Sequence, residues 1–251
     1  MIRLKRHVHM LVCIGAMLTG RVANAAEPGL AAWWQLTEGV GRIAADSSGN
    51  GYDARLINQP RWVLDGSNRH ALSFSGRTYL TVKDAPGLDN LQATGLTVAA
   101  WIRPVTPGGG GRGRILDKEG WFFATYVDSI PQVQLQFACG DSGGYVLSKP
   151  GAITLNAWQH VAATWDGHGS GAGMHLYVNG ILVDGSFVAG TGEPGDDAAS
   201  SLDIGNRSRG QFPRGFDGQM ADIRVYNRVL STNEILQLAH RDTSARAALS
   251  H

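Results

Sequence analysis

The chain has 251 residues, with 22 lysines and arginines against 21 aspartates and glutamates and a formal charge of +1 at neutral pH. A balance this even excludes the strongly basic surface that recruits nucleic acid or anionic membrane. Two cysteines, Cys13 and Cys139, are too few for a disulfide framework, and 34 glycines with 17% charged residues suit many tight turns between broad sheets.

The N-terminus reads as an export signal. Arg3, Lys5 and Arg6 give a basic start, Met10 to Leu18 is apolar but too short to span a bilayer, and Ala23-Asn24-Ala25 is a small-x-small cleavage site. Residues 1–25 are therefore expected to be removed, and residues 26–251 to form one domain in the periplasm or the medium. Cleavage takes away four basic residues, leaving 18 basic against 21 acidic and Cys139 as the sole cysteine. No membrane insertion is expected of the remainder, because no other stretch is long and apolar enough.

From Gly29 onward short strands alternate with turn signals. Leu30 to Leu36 carries Trp33 and Trp34, and the polar loop Asp46-Ser47-Ser48-Gly49-Asn50-Gly51 follows. Ala71 to Phe74 and Tyr79 to Val82 flank Ser75-Gly76-Arg77. Leu96 to Val105 alternates cleanly, and Pro107 to Gly113 is a glycine-rich basic loop expected to be mobile. In Met174 to Asp184 the pair Asn179-Gly180 predicts a hairpin, since both residues accept the left-handed backbone that matches strand twist. A last strand runs through Met220 to Asn227. A helix then starts at Ser231-Thr232-Asn233-Glu234, where serine and glutamate three apart can cap each other's free amides. The order predicts an all-β, two-sheet antiparallel jelly-roll sandwich with one short C-terminal helix.

Six phrases in order resemble the laminin-G-like jelly-roll domains of the concanavalin A-like lectin/glucanase superfamily. They are GLAAWWQLTEGVGRIAADSSGNGYDA, ALSFSGRTYLTV, LTVAAWIRPV, NAWQHVAATWDG, MHLYVNGILV and FDGQMADIRVYNRVLSTNEI. The resemblance implies frequent calcium and binding of sugars or other extracellular polymers. Ligand identity stays open, because this architecture hosts lectins, hydrolases, lyases and adhesion modules.

Calcium takes several oxygen ligands on a backbone free to curl around it, and Asp46 to Asn50 offers such a curl. Carried over from similar domains, a structural Ca2+ would take carboxylates from Asp46 and Asp222, a carbonyl from Gly76, and oxygen from Asn50. The competing reading is that Asp46 makes a side-chain turn and Asp222 pairs with Arg224.

An enzyme reading needs paired carboxylates. Glu27, Glu38, Glu119, Glu193 and Glu234 are the only glutamates, and none has an acidic neighbour at strand spacing. Glu193, Asp196 and Asp197 cluster on a loop that would not preorganise them. His160, in WQHVAATW, reads as packing or hydrogen bonding. Catalytic residues are therefore expected to be none. Sugar recognition wants aromatic faces flanked by planar polar groups. The tryptophans at 33, 34, 62, 101, 158 and 165 are expected in the core. Trp121, Tyr145, Arg112 and Arg114 are the candidates for framing a ligand at one rim. The sequence thus predicts a secreted, non-catalytic module for extracellular carbohydrate or a glycosylated partner. The alternatives are a polysaccharide-active hydrolase or lyase of the same fold, whose carboxylates meet only in three dimensions, and a protein-binding adhesion module.

Overall fold

A computed structural model describes residues 27–83, 85–129, 131–139, 144–168, 173–192, 195–208 and 214–247. The expected export signal and Glu193 lie outside them. The first six strands are β1 (Leu30–Trp34), β2 (Ile43–Ala44), β3 (Ala54–Ile57), β4 (Arg61–Leu64), β5 (His70–Ser75) and β6 (Tyr79–Val82). The middle of the chain supplies β7 (Leu96–Pro104), β8 (Arg114–Lys118), β9 (Trp121–Tyr126), β10 (Gln134–Ala138), β11 (Gly144–Ser148) and β12 (Gln159–Trp165). Then come β13 (His175–Val178), β14 (Ile181–Leu182), β15 (Asp184–Ala189), β16 (Leu202–Ile204) and β17 (Asp217–Tyr226), followed by helix α1 (Thr232–Ala247).

They form two antiparallel sheets. One has eight strands in the order β14-β13-β12-β7-β17-β5-β4, with β1 also on β17; the other has nine, β15-β11-β10-β9-β8-β16-β6-β3-β2. Leu96, Val98, Ala100 and Ile102 of β7 face Leu116, Phe123, Leu135 and Phe137 of the second sheet in one buried core. This is the alternation a half-buried strand requires, and it gives the jelly-roll sandwich.

The predicted hairpin turns at Asn179 and Gly180, with φ of 50° and 80°. The predicted cap also forms: Glu234 N donates to Ser231 Oγ at 3.3 Å, and Ser231 N donates to Glu234 Oε2 at 2.8 Å. Arg228 Nη2, 2.6 Å from Glu234 Oε1, and the Ser231 amide hold that carboxyl at a pKa of about 2. The helix lays Ile235 and Leu238 over Ala99, Ala162, Tyr177 and Tyr226, covering part of the eight-stranded sheet's outer face.

The tryptophans divide. Trp34 and Trp165 are core, as expected. Trp101 points outward instead, in a small cluster with Ala71, Ala221 and half-buried Trp158. Trp33 also faces out, its ring 4.2 Å from the Arg224 guanidinium. A broad ring can be buried on the outer face wherever small neighbours and a loop cover it, so composition alone does not assign its side.

Candidate ligand-binding face

The outer face of the nine-stranded sheet carries the most concentrated polar chemistry, and strand register puts it there. In β9, Trp121 and Phe123 turn into the core, so Phe122, Ala124 and Tyr126 turn out. An unbroken β8 would send Arg114 and Asp117 to opposite faces, because side chains alternate. A bulge between Arg114 and Leu116 shifts the register, so that Arg114 lies opposite Ala124 and Asp117 opposite Phe122. Both charged residues now share one face.

Cross-strand partners then line up in a row: Tyr145, Ala138, Phe122, Asp117, Asp203, Thr81 and Arg55. Six strand spacings make it roughly 29 Å long. A parallel row runs Leu147, Gln136, Ala124, Arg114. Alanine therefore separates Tyr145 from Phe122 and Gln136 from Arg114, leaving the surface low between taller side chains. At the far end of the first row, Arg42, Arg55, Asn58 and Gln59 line a cleft of about 450 Å³.

Arg114 is the centre of this face. It is 4% exposed, its guanidinium carbon sits 3.3 Å from the Phe122 ring centroid, and its Nε lies 2.8 Å from Asp117 Oδ2. That contact falls off the N–H direction, so among the described residues Nε and Nη1 have no hydrogen-bond acceptor and Asp117 pairs with Nε by charge alone. Burial, then the positive charges of Arg207, Arg214 and Arg112, lower its pKa to about 10 against the opposing pull of Asp117. Gln136 Oε1 and Asp203 Oδ1 are likewise buried without a partner among the described residues, while Asp203 Oδ2 accepts from the Ser208 amide and hydroxyl. Burial and the charge of Asp203 raise the Tyr79 phenol above its ordinary pKa.

The glycine-rich loop expected to be mobile is pinned by backbone hydrogen bonds. Gly109 N donates to Gly215 O at 2.9 Å, Arg114 N to Arg214 O at 2.8 Å, and Val127 N to Gly111 O at 2.8 Å. A Cβ at Gly111 would stand 2.5 Å from the Val127 carbonyl, which is why the approach needs glycine. The pinned loop sets Arg112 5.2 Å from the Tyr126 ring centroid.

Of the four residues expected to frame a ligand, Tyr145, Arg112 and Arg114 therefore fall on one face. Trp121 does not join them: its ring is 1% exposed among the core residues. Phe122, Gln136, Asp117 and Asp203 were not anticipated. Gln134 and Gln136 alternate with Leu135 and Phe137 in QLQFA, a legible sign of a polar outer face. The meeting of Asp117 with Asp203, 86 positions apart, had no local sign.

The residues expected to hold calcium do not make one site. Asp46 Oδ1 accepts from the amides of Trp33 (3.0 Å) and Ser48 (2.9 Å), and Oδ2 from Ser48 Oγ (2.8 Å) and the Tyr52 amide (2.9 Å). Asn50 Nδ2 donates to Ala31 O at 2.9 Å. Asp222 Oδ1 accepts from Trp33 Nε1 and, at 3.1 Å, from Arg224 Nε. Gly76 N donates to Phe216 O, six positions before Asp222 and so roughly 20 Å along the strand. Asp46 is thus saturated by donors, Asp222 is neutralised by a guanidinium, and Gly76 is remote. The side-chain turn and the Asp222–Arg224 pair are the arrangement found. Among the described residues no three His, Cys, Asp or Glu side chains are grouped to hold a metal.

No curated protein sequence matches the chain. Among solved structures it is similar to domain 4 of AbnA, a GH43 extracellular arabinanase from Geobacillus stearothermophilus in complex with arabinotriose. The TM-score is 0.59 at 18% identity, over 85% of this chain and 100% of that one. It is also similar to the binding domain of botulinum neurotoxin DC in complex with rat synaptotagmin II, with a TM-score of 0.61 at 18% identity; 85% of this chain covers about half (51%) of that one. Likeness at this identity speaks to the fold alone. A family model described as concanavalin A-like lectin/glucanases superfamily matches residues 74–236, from β5 into α1 and through strands of both sheets. The chain belongs to the concanavalin A-like lectin/glucanase superfamily.

Proposed function

We propose that the chain is an exported, non-catalytic glycan-binding module whose ligand lies along the outer face of the nine-stranded sheet. The observation that carries this reading is the cross-strand row from Tyr145 through Phe122 to Asp203, beside which Arg114 Nε and Nη1, Gln136 Oε1 and Asp203 Oδ1 lack a hydrogen-bond partner among the described residues. Sugars present apolar ring faces and hydroxyls that both donate and accept. The row supplies aromatic surface at Phe122 and Tyr145, unused donors at Arg114 and unused acceptors at Gln136 and Asp203. Buried polar groups without partners are costly, and a ligand hydroxyl can satisfy them. The arabinotriose-bound relative supports the polymer class without fixing the sugar.

Phe122→Ala and Tyr145→Ala should each weaken glycan binding by roughly 10-fold or more, from lost stacking and burial, while the fold persists. Affinity electrophoresis of the full chain against a polysaccharide panel, with circular dichroism as the fold control, measures this. Unchanged migration of both variants on every retarding polymer would remove the face from consideration.

One observation favours a second reading, polysaccharide cleavage. Asp117 and Asp203 are direct cross-strand neighbours, which places their Cβ atoms about 4.5–5.5 Å apart. Retaining glycosidases hold their carboxyl groups at about 5–5.5 Å. Against it, Asp117 is held by Arg114 and Asp203 by Ser208, so each carboxylate already has a structural task. Release of reducing sugar that Asp203→Asn abolishes would establish the second reading over the first.

A further inference from the structure

We propose that the Arg112–Arg114 corner of this face selects glycans bearing an anionic group, a carboxylate or a sulfate, with Arg114 as the receiving residue. The inference rests on the glycan-face reading above and adds the ligand's charge.

Three independent observations converge on the corner. First, Arg114 is buried, and among the described residues Nε and Nη1 have no hydrogen-bond acceptor, the Asp117 carboxylate pairing with Nε by charge at 2.8 Å but off the N–H direction. A buried guanidinium with under-used N–H groups on two of its edges favours charged oxygen acceptors, and carboxylate and sulfate both supply them. Second, Arg112 lies over Tyr126, and its Nε is also buried without an acceptor among the described residues. The two arginines are fixed by the same glycine loop, whose backbone bonds to Gly215 and Arg214 leave them little freedom. Third, burial lowers the pKa of Arg114 and of Arg214, and the positive charges of Arg207, Arg214 and Arg112 at the first, and of Arg112 and Arg207 at the second, act in the same direction. Four guanidiniums thus interact electrostatically in a region that also holds Asp117 and, accepting from Tyr126 Oη at 3.0 Å, Asp128. Burial and mutual repulsion both favour an incoming anion, because it relieves the two costs together.

A neutral sugar would satisfy the idle donors with hydroxyls but would leave the crowding of charge untouched. A neutral ligand would also leave affinity nearly independent of salt, whereas an anionic one makes it fall as ionic strength rises.

The test uses the full chain and four polymers: polygalacturonate, its methyl-esterified form, dextran and dextran sulfate. Retention of polygalacturonate over the esterified form, or of dextran sulfate over dextran, by about 10-fold or more is expected, and it should shrink with added salt. The first contrast identifies carboxylate as the source and the second sulfate. Arg114→Lys keeps the charge but loses the planar array of N–H donors, and should erase most of that preference. Arg112→Gln, at a half-buried position, repeats the test should Arg114→Lys unfold. Phe122→Ala should instead weaken charged and uncharged polymers alike. Equal binding of charged and uncharged polymers, or a charge preference that both arginine variants retain, would overturn the selection and leave the glycan face standing. Binding of none of the panel, with no hit on a wider glycan array, would overturn both.

Discussion

Lys118→Met is expected to lower the midpoint of thermal unfolding by about 10 °C. Lys118 is 2% exposed, and its ammonium lies 2.8 Å from Asp89 Oδ1, 2.8 Å from Asp197 O and 2.9 Å from Asp197 Oδ1. It therefore ties two segments, 86–93 and 195–200, to the end of β8. The same knot includes Asn90 N donating to Asp197 Oδ1 at 2.7 Å and Gln92 Nε2 donating to Gly195 O at 2.9 Å. Removing one partner of a buried pair leaves the other charge uncompensated, at a cost of about 3–5 kcal/mol. For a domain of this size 1 kcal/mol moves the midpoint by about 2–4 °C. Adding Asp197→Asn should recover part of the loss, since the amide removes the stranded charge while still accepting from Asn90. A double variant less stable than Lys118→Met would show that the loss comes from packing of the lysine stem.

Most of the architecture was readable in the chain because its signals are local. Asn179-Gly180 specifies a turn by backbone conformation, Ser231 and Glu234 cap one another within four residues, and Leu96 to Val105 alternates with one face per residue. The side that Trp121 takes was not readable. Trp121, Phe122 and Phe123 are three consecutive aromatics, so a period of two gives no contrast to say which are inside. The bulge in β8 is similarly silent, since Arg114-Ile115-Leu116-Asp117 reads as an ordinary strand with its charges on opposite faces. Only pairing with β9 brings those charges together, and only β16 brings Asp203 beside them. Arg112 and Arg114 were found because charge in a glycine-rich loop stands out; the polar floor they join is a product of register. The residues named for calcium have other partners for a related reason. The loop Asp46 to Asn50 does curl, but the donors it meets are its own amides and those of β1.

Substitution at Asp222 separates the two readings of that carboxylate and should rank three variants in a fixed order. Asp222 has φ 48° at the point where β17 slips register against β7, and its amide donates to Gln35 O at 3.2 Å. Its carboxylate faces Arg224, which is 7% exposed, lies against the Trp33 ring and also meets Glu27 Oε2 at 3.0 Å. Burial lowers the Arg224 pKa, but Asp222 and its other partners outweigh it and leave the guanidinium above its ordinary value. Asp222→Asn keeps an acceptor for Trp33 Nε1 and a side chain that tolerates the left-handed backbone, so it should be mildest. Asp222→Gly relieves the backbone but strips both acceptors. Asp222→Ala strips them and adds about 1–2 kcal/mol of left-handed strain to the roughly 1.5–3 kcal/mol of a lost charged hydrogen bond. The alanine variant should therefore melt about 5–15 °C below the wild type, with glycine between it and asparagine. Because the partner is a guanidinium, a chelator should leave all four midpoints where they are. A chelator that lowers the wild-type midpoint and spares the alanine variant would instead mean that a cation holds this carboxylate, and that Arg224 turns away to admit it.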